Sequence, residues 1–225
     1  MVRHFTKYRT HTINPILLQW GFLCCFFGVL LPGYAQKRME KNWDASAFQA
    51  LEINTHDVSK ISIKTSATET ISLTAIIAGE YSENVVLEVS ESNNVLVLGT
   101  GFRPFFTPKN DKLAAHKVLS IEFQLLLPQT LSLKVISSLS SLEITGKLKQ
   151  LKAKLEAGQI QLYKFEGNAK LTTHTGDIIC EVSKATTGEG MSKEGFVEST
   201  LKEAGTFQVR ATTVKGNIRL YHSKE

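Results

Sequence analysis

Divided in nines, residues 131–184 read LSLKVISSL, SSLEITGKL, KQLKAKLEA, GQIQLYKFE, GNAKLTTHT and GDIICEVSK. The third position of each unit is Leu133, Leu142, Leu151, Ile160, Ala169 and Ile178, and the fifth is Val135, Ile144, Ala153, Leu162, Leu171 and Cys180. All are apolar. The position between them is Lys134, Glu143, Lys152, Gln161, Lys170 and Ile179, polar in five of six units. An apolar–polar–apolar triplet of period two is a short strand that points two side chains inward and one out. Gly158, Gly167 and Gly176 open three successive units, where a turn needs an unhindered backbone. The pattern lapses through 185–204 and returns as Gly205-x-Phe207-x-Val209 and Gly216-x-Ile218-x-Leu220. Ala211-Thr-Thr-x-x-Gly216 echoes Leu171-Thr-Thr-x-x-Gly176.

A repeat of strand plus turn admits two architectures. In a solenoid, two or three units form a coil and the coils stack through parallel ladders around a narrow core. In an antiparallel meander, successive units pair directly and build one wall of a sandwich or barrel. Two units per coil would place Lys134, Lys152 and Lys170 in one ladder, where like charges cost roughly 0.2–1 kcal/mol per pair. Three units per coil, or the meander, sets Lys134 beside Gln161 or Glu143. That term is too small to choose between them, because lysine heads splay into water.

Outward from the repeat, the same period continues. Leu51-x-Ile53, Ile61-x-Ile63, Ile71-x-Leu73-x-Ala75, Val95-x-Val97 and Ile121-x-Phe123-x-Leu125-x-Leu127 alternate, with breakers such as Ser90–Asn94 and Gly99-Thr-Gly101 between them. Helical periodicity of useful length is absent beyond residue 35. The reading is an all-β chain: a repetitive β-solenoid or β-helix-like domain, with an antiparallel sandwich or meander as the alternative.

Residues 1–35 read as an export signal. Arg3, Lys7 and Arg9 precede the apolar run Ile16–Leu31, then Pro32-Gly33 stops it and Gly33-Tyr-Ala35 offers small residues for cleavage between Ala35 and Gln36. An uncleaved anchor is the alternative, but sixteen residues at ~1.5 Å each fall short of a ~30 Å hydrocarbon core. Acylation at Cys24 is weaker still, since Gly21-Phe-Leu23 lacks the expected small residues. The organisation expected is therefore a signal at 1–35, a lead-in at 36–47 and a β domain over 48–225, with no further transmembrane run.

Removal of the signal changes the charge argument. The full chain has 26 basic and 21 acidic residues, a net charge of +5 and a pI near 9.0, which raises the question of nucleic acid. The signal carries three of the basic residues and none of the acidic ones, so the mature chain holds 23 against 21, a charge of +2. Nucleic acid then has no support. Cys24 and Cys25 leave with the signal, so Cys180 has no intramolecular disulfide partner.

The run Lys117-Val-Leu-Ser-Ile-Glu-Phe-Gln-Leu-Leu-Leu-Pro128, then Leu131-x-Leu133-x-Val135 and the triplets Gly158-Gln-Ile160, Gly176-Asp-Ile178 and Gly216-Asn-Ile218, resembles the bacterial putative-adhesin domains, also described as head-domain, auto-transporter-adhesin-like proteins. The likeness runs from about Phe48 to Leu220 and carries no catalytic signature. It implies a β-helix-like fold in an exported envelope protein, located in the periplasm or at the surface of a Gram-negative-type cell. The loop around Phe105 and the stretch 185–204 depart from the family pattern.

Few residues invite chemistry. His56, His116, His174 and His222 are isolated from one another and none has metal-ligand spacing, so no metal or cofactor is expected. His174, Asp177 and Cys180 lie close in sequence, but Cys180 holds an inward repeat position and reads as a packed thiol, and His174 as a turn residue. A calcium roll needs doubled glycines and a carboxylate per turn, and only Asp177 follows a repeat glycine. A carbohydrate-active enzyme is the alternative function, with Glu156, Glu166, Asp177 and Glu181 as candidate acids on a solenoid face. The leading expectation is a non-enzymatic adhesin-like scaffold or binding surface, with envelope polysaccharide or protein as partner. The segment Gly101–Asp111, which Pro104 and Pro108 keep from being a central strand, places Phe102, Arg103, Phe105 and Phe106 together. They form either a contact anchor or a lid over an open end of the core.

Overall fold

The computed structural model describes residues 36–107, 119–202 and 204–224. Residues 1–35, where an export signal is expected, and residues 108–118, which follow the aromatic cluster, lie outside the described residues. The strands, in chain order, are β1 (Lys37–Asp44), β2 (Ala50–Thr55), β3 (Val58–Ser66), β4 (Thr70–Ala78), β5 (Val85–Ser92), β6 (Val95–Phe102), β7 (Ser120–Pro128) and β8 (Ser132–Leu139). They continue as β9 (Ser141–Ala157), β10 (Ile160–Thr175), β11 (Ile178–Val182), β12 (Thr186–Glu194), β13 (Val197–Ser199), β14 (Phe207–Lys215) and β15 (Ile218–His222). The fold is all-β, and all fifteen strands belong to one continuous sheet.

Through the repeat the ladders are parallel, with a constant offset of 18 residues: Leu133 lies beside Leu151, Leu142 beside Ile160, Leu151 beside Ala169 and Ile160 beside Ile178. Two nine-residue units therefore make one coil, and direct antiparallel pairing of units does not occur here. The twelve inward positions are all buried, none more than 6% exposed. Each long strand bends midway. In β9 the bend falls at Gly146, with a φ of 106°, and Lys147 N–H is received by Thr65 Oγ1 at 2.7 Å. In β10 it falls at Lys164–Gly167, where the register shifts. Leu148 and Phe165, both fully buried, fill the corners inside these bends.

The bends fold the sheet into two walls around one core. Wall A runs β5, β6, β2, β8, the second halves of β9 and β10, then β14 and β12. Wall B runs β1, β4, β7, β3, the first halves of β9 and β10, then β11, β15 and β13. The buried residues of both walls form one contiguous cluster. Each inward Leu or Ile contributes about 1.5–3 kcal/mol relative to exposure.

Rung order departs from chain order at both ends. Leu51 and Ile61 pair with Leu133 and Leu142, so an early coil stacks on the repeat from 81 or 82 residues away. At the far end, β14 and β15 pair with β10 and β11, while β12 and β13, which precede them in sequence, stack outside them as the last rung. The stretch 185–204 is thus a terminal rung. Its inward positions are Gly188 and Gly190, where a Cβ would meet Leu201 and Val197 side-chain atoms at 2.8 Å, so the core tapers shut.

The lead-in contributes β1, an antiparallel edge on β4 carrying Lys37, Arg38, Glu40 and Lys41, and charge at an edge discourages further pairing. Lys37 Nζ also donates to the carbonyls of Glu83 and Val85, at 3.3 and 3.0 Å, tying wall B to the start of β5. In β6 the buried pair is Leu96 and Leu98, with Val95 and Val97 half-buried, the opposite phase from the expected Val95-x-Val97 triplet. Every residue of Val-Leu-Val-Leu is apolar, so period alone leaves the face open.

A hydroxyl column closes the turns. Thr173 Oγ1, Thr213 Oγ1 and Ser192 Oγ donate to the carbonyls of Gly158, Gly176 and Gly216 at 3.4, 3.1 and 2.7 Å. The Thr-Thr-x-x-Gly echo is this contact: its second threonine points inward and satisfies the turn carbonyl of the adjacent coil, a group that burial would otherwise leave unpaired.

Candidate binding surface

Wall A presents outward columns set by its register. The central column runs Glu52, Lys134, Lys152, Lys170, Arg210, Glu189. The two ends are neutralised: Lys134 Nζ lies 3.0 Å from Glu52 Oε1, and Arg210 pairs with Glu189. Lys152 and Lys170 in the middle have no ion-pair partner among the described residues. The like-charge ladder of a two-unit coil therefore forms. Burial of the flanking Leu151, Leu171 and Ala153 rows, at about 0.8 kcal/mol per buried methylene, outweighs a repulsion between exposed heads of roughly 0.2–1 kcal/mol per pair.

Two neighbouring columns flank the cations on the same face. On one side stand Gln150, Asn168 and Gln208, all exposed, with Gln208 N–H donating to Asn168 Oδ1 at 3.0 Å. On the other stand Ile136, Lys154, Thr172 and Thr212. A shallow groove of about 250 Å³ lies among Lys134, Ile136, Lys152, Lys154, Lys170 and Thr172. A second groove, lined by Lys149, Gln150, Asn168, Lys170, Gln208 and Arg210, borders the same lysine column. Glu156 stands two residues beyond Lys154, next to the turn, as an acidic neighbour at the rim.

On wall B, two cations have acidic partners. Lys60 Nζ lies 3.0 Å from Glu143 Oε1, and this partner holds the Lys60 ammonium above its ordinary pKa. Arg219 sits 3.9 Å from Glu198 and 5.2 Å from the Phe196 ring centroid.

The residues singled out in the sequence scatter. Phe102 packs against the core, and Phe106 stacks on both Phe102 and Tyr81 at centroid distances of 5.4 and 5.3 Å. Phe105 stands fully exposed with a φ of 67°, and Arg103 is exposed with its N–H bonded to Asn84 O at 2.9 Å. The four thus divide into two packed rings and two projecting side chains. Gln36 precedes β1 and is exposed.

The candidate acids do not converge. Glu156 faces out of wall A and Glu181 out of wall B, Glu166 is held by Lys147 at 2.6 Å, and Asp177 Oδ1 receives Asn217 N–H at 2.7 Å. Burial raises the Cys180 thiol pKa well above its ordinary value, which keeps it un-ionised. His174 is exposed near the end of β10, not in the turn that follows. Among the described residues no three of His, Cys, Asp or Glu gather as a metal site. The amide column was missed in the sequence because it occupies the second position of each unit, Gln150 and Asn168, which the inward triplet does not mark.

No protein-family model matches the chain, and no curated protein matches it in sequence. Solved structures do. A putative cell adhesion protein from Clostridium sporogenes superposes with a TM-score of 0.61 at 14% identity, covering 84% of this chain and all of that one. A putative adhesin from Bacteroides fragilis matches over 84% of this chain and 99% of its own at 12% identity, with a TM-score of 0.37. The chain shares the fold of the Clostridium sporogenes adhesion protein, which is the all-β architecture that its resemblance to the bacterial putative-adhesin domains implies.

Proposed function

We propose that this chain is an exported cell-envelope protein, in the periplasm or at the surface, that binds a partner through its walls and does not turn one over. The observation that carries the reading is wall A, a regular outward face on which Lys152, Lys154 and Lys170 neighbour one another without carboxylate partners among the described residues, whereas the unpaired Lys41 and Lys64 of wall B have no lysine beside them in their ladders. Uncompensated like charge on a rigid face costs stability, so its presence on one wall alone suits a face that meets an anionic partner. The basic start, the apolar run Ile16–Leu31 and the small residues Gly33 and Ala35 support export. The name given to the Clostridium sporogenes structure supports an adhesin-like role. The placement of Glu156 and Glu181 on different walls, and the ties of Glu166 to Lys147 and of Asp177 to Asn217 N–H, support binding over glycoside hydrolysis, which needs two carboxyls flanking one bond.

The test is expression of the whole chain in a Gram-negative host. The expected result is cleavage between Ala35 and Gln36 by mass spectrometry, recovery outside the cytoplasm, and co-sedimentation of the processed protein with isolated envelope material. Retention of an uncleaved chain in the cytoplasm, or an exported protein indifferent to every envelope fraction, would refute it.

A further inference from the structure

We infer that wall A is a docking face for an acidic polysaccharide, whose carboxylates meet Lys152, Lys170 and Lys154 while its hydroxyls meet the flanking amides and threonines. This rests on the binding reading above and names the partner's chemistry.

The geometry supplies both halves of the recognition. Lys152 and Lys170 occupy adjacent rungs of one parallel ladder, which sets their backbones about 4.8 Å apart. Lys154 follows Lys152 on the same face about 6.6 Å along the strand. The backbone thus anchors three lysines at the corners of a triangle, and Lys149 adds a fourth at its border. Such a triangle exceeds what a single small anion needs. A polymer that repeats a carboxylate along its length can engage successive rungs at once, and linked contacts gain from effective concentration.

The neighbours of the lysines decide between polymers. Gln150, Asn168 and Gln208 on one side, and Thr172 and Thr212 on the other, present uncharged donors and acceptors suited to sugar hydroxyls. A membrane-binding face needs a contiguous set of apolar side chains that enter the acyl boundary, and these columns offer Ile136 and Met191, set apart by Lys154, Thr172 and Thr212. Lys134 and Arg210, already paired with Glu52 and Glu189, mark where the uncompensated stretch stops.

The experiment uses protein purified from cells expressing the full chain, polygalacturonate as the probe, and calorimetric titration at low and raised salt. Dextran is the neutral control and phosphatidylglycerol vesicles are the membrane control. The expected result is binding to polygalacturonate but not dextran, weakened by salt. Exposed charge contacts are individually modest, so K152Q/K170Q should lose about tenfold in affinity. K152R/K170R should retain it, and K41Q/K64Q, which removes the same charge from exposed sites on wall B, should bind as the parent does. Equal weakening by K41Q/K64Q would show net charge alone at work and overturn the proposal, as would tighter binding to the vesicles than to polygalacturonate. A protein that binds envelope material yet ignores polygalacturonate refutes this inference and leaves the binding role standing; one that binds neither refutes both.

Discussion

Replacing Gly176 by alanine probes the packing of one coil on the next. Gly176 opens the turn before β11 with a φ of 143°, and a Cβ built there lies 2.0 Å from the carbonyl oxygen of Gly158 in the adjacent coil. Both atoms belong to backbone, so no side chain can swing aside. Strain at such a φ costs about 1–3 kcal/mol. Relieving the contact means separating the coils, which lengthens the bonds from Gly158 N–H to Thr175 O at 2.9 Å, Ile160 N–H to Asp177 O at 3.0 Å and Thr173 Oγ1 to Gly158 O at 3.4 Å. With each bond contributing about 0.5–1.5 kcal/mol and only part of each lost, the total comes to roughly 3–5 kcal/mol, in the tail of single-substitution effects. Urea titration followed by the fluorescence of Trp43, which packs on the core, measures it. Asp177→Ala, which removes only the 2.7 Å bond to Asn217 N–H, should cost about 0.5–1.5 kcal/mol. A Gly176→Ala loss below about 1 kcal/mol would refute the stacked-turn argument, because it is smaller than one strained residue.

Cys180 should resist a thiol reagent in the native protein at pH 8 and react once denaturant exposes it, since its thiol is fully buried; rapid native labelling would contradict its place in the core. Phe106→Ala should lower stability by about 0.5–1.5 kcal/mol per lost ring contact, because it stacks on Tyr81 and Phe102. Phe105→Ala should leave the urea midpoint unchanged, because its ring touches solvent. Lys152→Gln should hold or raise stability by roughly 0.2–1 kcal/mol by relieving repulsion from Lys134 and Lys170, even as it weakens anion binding; a marked loss of stability would mean the ladder is not arranged as described.

The period of Leu133 through Cys180 was enough to read the strands, their inward faces and the turn glycines, because each unit buries the same two positions. Units per coil were not legible. The energy separating the options is a lysine repulsion of a few tenths of a kcal/mol, and the burial that overrides it depends on which rows meet across the core. The rung order escaped for a similar reason. Gly188 and Gly190 replace leucine or alanine where the core narrows, so the terminal rung has no apolar period to read. Leu51 meets Leu133 across 82 residues of chain, and a local pattern carries no record of that pairing. The lysine column was visible as three residues, but its meaning depended on Glu52 and Glu189 closing its ends, which only the register brings beside it.

The constant 18-residue offset makes the coil a modular unit. A second copy of residues 158–175 inserted after Thr175 would meet the same glycine turn, the same hydroxyl-to-carbonyl bond and the same Leu and Ile rows on both sides, so it can be added without redesigning either end. Stability in such a stack grows by one interface per coil, and the doubled chain should unfold with a steeper dependence on urea; an unchanged slope would show that the extra copy fails to dock. Each added coil also inserts one more lysine at the place of Lys170. Gene duplication in steps of 18 codons would thus set the valency of the charged face, letting the reach of the surface along a polymer be adjusted independently of the two caps.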